Sequence, residues 1–135
     1  MCGIAGTIYS SDYQPGIWVN IDDLFVLLDQ IGNGSAPSSR LLDMAWKYKS
    51  NVNFIRYCKS ASERENIKIL CDKIFKYGEK RKAELPLIDK SSSLDFYKAQ
   101  VKEWECLVDA HWFFSNELDK TRYLIESLAE LPSTD

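Results

Sequence analysis

The residue pattern describes a mainly α chain: a short N-terminal β-strand followed by a helical bundle or a long helical hairpin. Three observations lead there. Apolar residues recur at spacings of three and four from residue 20 onward. Strand-favouring residues gather in the first ten positions. Gly, Pro, Ser and Asn collect into a few short stretches that separate the periodic segments.

In chain order, Ile4, Thr7, Ile8 and Tyr9 favour extended backbone, and Gly3 and Gly6 permit close approach. Asp12, Pro15 and Gly16 make a turn. Asn20 caps a helix carrying Leu24, Leu27, Leu28 and Ile31, which Gly32, Asn33 and Gly34 stop. A second helix starts near Ser38, carries Leu41, Leu42, Ala45, Trp46 and Val52, and is expected to run on to Tyr57 and Cys58. Ser62 with Glu65 three residues on reads as a capping box. It opens a third helix with Ile67, Leu70, Cys71, Ile74 and Phe75 on one face. Lys76, Lys80, Arg81 and Lys82 suit the negative end of that helix. Pro86 and Ser91 to Ser93 break the pattern. A fourth helix is expected over about 94–131, ended by Pro132. Its stripe is Val101, Trp104, Val108, Trp112 and Ser115, extended by Leu118, Arg122, Ile125 and Leu128. Trp46, Trp104, Trp112, Tyr48, Phe54, Phe113 and Phe114 are expected in the core or at a helix–helix interface. Because Phe113 and Phe114 adjoin Trp112, aromatic residues surround more than one face, which points to an interface with further protein.

Composition bounds the function. The chain has 135 residues, one domain of ordinary size, and is 45% hydrophobic, enough to bury a core. Its net charge of −3 gives no general attraction for nucleic acid phosphates, so no nucleic acid partner is expected. No apolar run approaches the ~20 residues of a membrane-spanning helix, so no membrane insertion is expected. Four cysteines (Cys2, Cys58, Cys71, Cys106) show no CxxC spacing, and His111 is the single histidine, so neither a metal site nor a cofactor is implied. The start of the chain lacks the basic and apolar regions of a secretory signal, which makes the cytoplasm, with free thiols, the expected compartment. Cys58, Cys71 and Cys106 sit in helical patterns and read as small buried hydrophobes. His111 reads as a hydrogen-bonded or exposed helical residue.

Cys2 has a different setting. Cysteine is small enough for Met1 to be removed, which would leave a thiol and a free α-amine on one residue. An α-amine with an unperturbed pKa of about 7.7–8.0 is partly neutral at physiological pH and can act as base for the adjacent thiol. No histidine is needed. Glycines beside the strand leave room for a substrate at the chain end.

The segment Met1-Cys2-Gly3-Ile4-Ala5-Gly6 resembles the start of the class II glutamine amidotransferases, which are N-terminal nucleophile hydrolases. The resemblance covers the first eight to ten residues. It implies that Cys2 is the catalytic nucleophile, that Gly3 and Gly6 border the substrate, and that L-glutamine is the substrate. It also implies that ammonia passes to a synthetic partner domain, with an amino-sugar-phosphate-forming module as the preferred partner. The family's Arg-Gly-Asp/Tyr-Asp-Ser-type motif is absent, and Asn33-Gly34 stands in a loop after a helix. One strand cannot build the family's four-layer αββα sandwich. The expected organisation is therefore a nucleophile strand and turn over 1–19 and a helical insertion or interaction module over 20–135. A downstream segment or second polypeptide would complete the domain, and an oligomer is expected. Two rivals stand beside this reading: a non-catalytic helical interaction subunit with a relic motif, and a hydrolase of the same superfamily acting on another amide.

Overall fold

The structure is a computed structural model that describes residues 18–49 and 51–130, with the side chains of 51 and 128–130 excepted. Helix α1 spans Ile21–Gly32. The Asn20 side chain accepts from the Asp22 N–H at 3.1 Å, and Asp22 and Asp23 lie in the positive first turn. Ile21, Leu24, Leu27, Leu28 and Ile31 are buried, as their spacing requires. Beyond the helix, Gly34 adopts φ +84°, the left-handed conformation that stops a helix at low cost in glycine.

Helix α2 spans Ser38–Tyr48 and α3 spans Asn51–Lys59, two helices where periodicity suggested one. Pro37 precedes α2 and has no side-chain acceptor to cap it. Glu103 supplies the cap from 65 residues away, accepting from both the N–H and the hydroxyl of Ser38 at 3.0 Å. Helix α4 spans Ala61–Glu84. Its cap is Ser60, whose Oγ accepts from the Glu63 N–H at 3.1 Å. The helix thus begins ahead of the expected Ser62–Glu65 box, and Ser62 and Glu65 are exposed on its surface. Glu63 has a tertiary role that the local pattern does not show, described below.

A 3₁₀ turn, Leu85–Leu87, surrounds Pro86. Helix α5 follows over Leu94–Trp112, capped by Ser93 Oγ on the Phe96 N–H at 3.1 Å. A π turn, Phe113–Glu117, leads directly into α6, Leu118–Glu130. The long fourth helix is therefore present with one wide turn inside it. Ser115 Oγ donates to the His111 carbonyl at 2.7 Å within this region. A π turn inserts an extra residue into the helical phase. Here it lets two consecutive residues, Phe113 and Phe114, both point inward.

The expected stripe on α5 is a correction. Val108 is 45% exposed and Trp112 50% exposed. The buried side is Cys106, Leu107, Ala110, Phe113, Phe114 and Leu118. Apolar residues on several sides of this helix leave its periodicity without a unique core face. Trp46 is also largely exposed, although its ring meets Phe113 edge-on at 4.9 Å.

One core cluster joins α1, α2, α4, α5 and the π turn, with Val19 included. Helix α4 packs along α5, α2 packs on α5, and α1 contacts α4 and α2. Where α4 passes α5 at Gly78, a Cβ would make ordinary van der Waals contact, 3.8 Å from the Leu107 Cβ. No strand occurs among the described residues, and the expected strand near Cys2 lies outside them. No helix among the described residues is long and apolar enough to cross a membrane.

Candidate functional site

Cys2, Gly3 and Gly6 lie outside the described residues. The most organised polar site of the helical region stands where the chain joins α1. The Val19 N–H donates to Asn53 Oδ1 at 2.8 Å, and the Val19 carbonyl accepts from Arg56 at 2.6 Å. Both backbone groups of one buried residue are therefore held by side chains of α3. Buried backbone polar groups must be paired, and here no ladder or helix supplies the partner.

Arg56 is held in turn. Its Nε lies 3.0 Å from Glu63 Oε2, its guanidinium lies 4.8 Å from the Trp18 ring centroid, and it is 5.8 Å from that of Tyr48. The Tyr48 hydroxyl donates to the same Glu63 oxygen at 2.5 Å. Burial first, and then the neighbouring Glu63, push the Tyr48 phenol well above its ordinary range, so it stays a donor. The result is a latch running Tyr48–Glu63–Arg56–Val19, with Asn53 completing it. Among the described side chains it satisfies the rule that buried charges be paired and hydrogen-bonded.

A second network closes the other end of α3. The Tyr57 hydroxyl donates to Asp119 Oδ1. Arg122 reaches Asp119 at 3.5 Å and Glu126 at 3.0 Å. Arg64 caps the end of α3, donating to the carbonyls of Tyr57 at 3.0 Å and Cys58 at 2.7 Å. These groups give α3 and α6 a fixed relation. Their carboxylates are occupied, and the arrangement carries no nucleophile.

The three described cysteines are free thiols. Cys71 and Cys106 are buried and Cys58 is half-buried, in keeping with their reading as small hydrophobes. Burial pushes the Cys71 thiol up to about 12, and raises Cys58 and Cys106 as well. Thiols held in the protonated form are poor nucleophiles. Within the basic cluster, Arg81 has a structural task. Arg81 donates to the Ile31 carbonyl at 3.3 Å, at the negative end of α1, and to Gln100 at 3.4 Å. It braces helix ends. No group of three or more His, Cys, Asp or Glu side chains converges as a metal site among the described residues.

The opposite side of the α4–α5 pair is open and apolar. A depression of about 220 Å³ is floored by Ile74, Gly78 and Leu107 and walled by Phe75, Trp104, Val108 and His111. His111 lies against the Phe75 ring, centroid to centroid 5.5 Å. It is half-buried, where the sequence suggested a hydrogen-bonded or exposed residue.

Sequence reasoning did not single out Asn53, Arg56 or Glu63. The available signal was a polar Asn53 and Arg56 interleaved with Val52, Phe54 and Tyr57 on a helix, a pattern that places polar groups toward a core. Searches with the whole chain found no matching protein family, curated protein or solved structure.

Proposed function

We propose that this chain is the nucleophile-bearing amino-terminal part of a class II-type glutamine amidotransferase, with the helical region as an insertion or interaction module. The observation that carries the reading is Cys2-Gly3-Ile4-Ala5-Gly6 directly after Met1. Once Met1 is removed, the α-amine of Cys2 takes the thiol proton, and Sγ attacks the side-chain amide carbon of L-glutamine. The C–N bond breaks, the proton goes to the leaving nitrogen, and ammonia departs. Water then opens the thioester to glutamate and the free thiol. Gly3 and Gly6 border the substrate. A downstream segment or second polypeptide completes the glutaminase domain, works in an oligomer in the cytoplasm, and uses the ammonia, with a sugar phosphate as the preferred acceptor.

The remaining thiols are consistent with this assignment of chemistry to Cys2, since burial holds Cys71 and Cys106 protonated. Intact mass spectrometry of the chain with its co-purifying protein, before and after a diazoketone analogue of glutamine, tests it. The expected result is loss of Met1 and one adduct, absent in Cys2→Ala. Retained Met1 and no adduct with the partner present would overturn it. The second reading, a non-catalytic helical interaction subunit, is favoured by the open apolar side of α4 and α5, and that outcome would leave it standing.

A further inference from the structure

The outer side of α4 and α5 carries more than one depression. Trp104 and Val108 line both the 220 Å³ depression described above and a neighbouring one of about 380 Å³. The two adjoin at Trp104 and Val108: the first has an apolar floor between α4 and α5, and the second lies on α5 alone among Lys102, Glu105 and Asp109. Phe75 is 53% exposed on its α4 side and Val108 45% exposed on its α5 side. Burying the remaining apolar surface of these side chains under a partner would be favourable. From residue 102 to residue 112 the α5 wall runs about 15 Å, the length of about three helical turns.

The charged residues lining the two depressions are Glu79, Glu105 and Asp109, against one cation, Lys102. None of the three carboxylates enters an ion pair among the described residues. An acidic rim over an aromatic wall selects for cations that also bring apolar surface. It disfavours phosphate groups and anionic lipid. It also disfavours a symmetric contact with a second copy, which would set the same carboxylates against one another. Residues 1–17 and 131–135 contain no Lys or Arg, so they lack the complementary charge.

We propose that the α4–α5 groove receives an amphipathic helix of a partner protein, about three turns long, whose apolar stripe is flanked by Lys and Arg. Its apolar side chains insert between Phe75 and Val108, and its cations meet Glu79, Glu105 and Asp109. This is helix-in-groove recognition, read through anchors at spacings of three, four and seven. The proposal concerns the helical region and stands whether or not Cys2 is a nucleophile.

Two helix-stapled synthetic peptides of about three turns test it. Both carry the same leucine stripe, one with lysine elsewhere and one with glutamate. Each is titrated by calorimetry into the full chain at about 50 and about 300 mM salt, a range over which screening of surface charge changes strongly. The lysine peptide is expected to bind at least about tenfold tighter than the glutamate peptide, and more weakly at high salt. Val108→Asp should lower its affinity by at least about tenfold. The exposed-site pair Glu105→Lys and Asp109→Lys, which leaves the core untouched, should invert the peptide preference. Equal binding of the two peptides, no binding of either, or unchanged binding to both variants would overturn the proposal. So would a sedimentation-detected dimer that Val108→Asp dissociates, because a second copy would then be the occupant.

Discussion

Helices α4 and α5 present two sides made from similar residues and used in opposite ways. On the inner side, Phe113, Phe114 and Tyr48 are buried, and the Tyr48 hydroxyl ends on Glu63. On the outer side, Phe75, Val108 and Trp112 are about half exposed, and the carboxylates face water. An aromatic residue is therefore no marker of the core in this chain. What separates the two sides is what packs on them. Helices α1 and α3 cover α4 on the inner side, and α2 covers α5, brings Tyr48 with it, and is itself capped by Glu103 of α5. The outer side has no such cover within the chain's described residues.

The largest expected effect sharpens that contrast directly. Phe114→Ala, at 2% exposure, should destabilise by about 3–5 kcal/mol through lost burial and the cavity left behind. Trp112→Ala, two residues earlier in the chain and half exposed, should cost no more than about 0.5–1 kcal/mol. Urea denaturation of the two variants is the measurement. Comparable losses would erase the distinction between the sides.

The latch comes next. Glu63→Ala removes the shared acceptor of Tyr48 and Arg56 and should cost about 2–3 kcal/mol, as buried partners left unpaired usually do. A double-mutant cycle with Arg56→Met should return a coupling of about 1 kcal/mol. A coupling near zero would mean that the two charges act independently.

Alkaline pH should weaken the inner side further. The Cys71 thiol rises from its ordinary 9.0 to about 12 because burial favours the neutral form. A raised folded value means the stabilisation is complete below about pH 9 and is lost as pH climbs toward 12. By pH 10.5 the loss from this one group should reach about 2 kcal/mol. Thermal melts of wild type and Cys71→Ala between pH 8 and 10.5 should converge by that amount. The tyrosines Tyr48 and Tyr57, also raised by burial, keep part of the alkaline decline in both proteins. Parallel curves would place Cys71 in contact with water.

The smallest effect concerns where α4 begins. Ser60→Ala should cost about 1 kcal/mol through loss of the cap on Glu63, and Ser62→Ala should stay within about 0.5 kcal/mol. Thermal melts resolve the pair, and the reverse order would restore the capping box expected from the sequence.

Much of the helical order is legible in the sequence itself. Asn20 and the Leu24–Ile31 spacing specify α1, and Gly34 stops it in the conformation glycine permits. Ser91 to Ser93 mark the break before α5, and Ser93 is the cap found there. Those signals are local: each rests on hydrogen bonds and spacings within four residues. The division of α2 from α3 was not legible, because Asn53 and Arg56 answer to Val19, more than 30 residues away. For the candidate catalytic residue the position is reversed. Cys2 was legible from its place next to Met1, and it lies outside the described residues.

The sequence alone determined that the chain is helical from Asn20 onward, where four of its helices start or stop, and which residue type is equipped to be a nucleophile. Helix caps, glycine stops and apolar periodicity act over a single turn, so they are written in neighbouring residues. Tertiary structure alone decided which face of α5 is core, that Glu63 serves Tyr48 and Arg56 while Ser60 starts the helix, and that Glu103 caps α2. Each of those outcomes pairs groups distant in sequence. Only the packing of the helices brings them within hydrogen-bonding or van der Waals range.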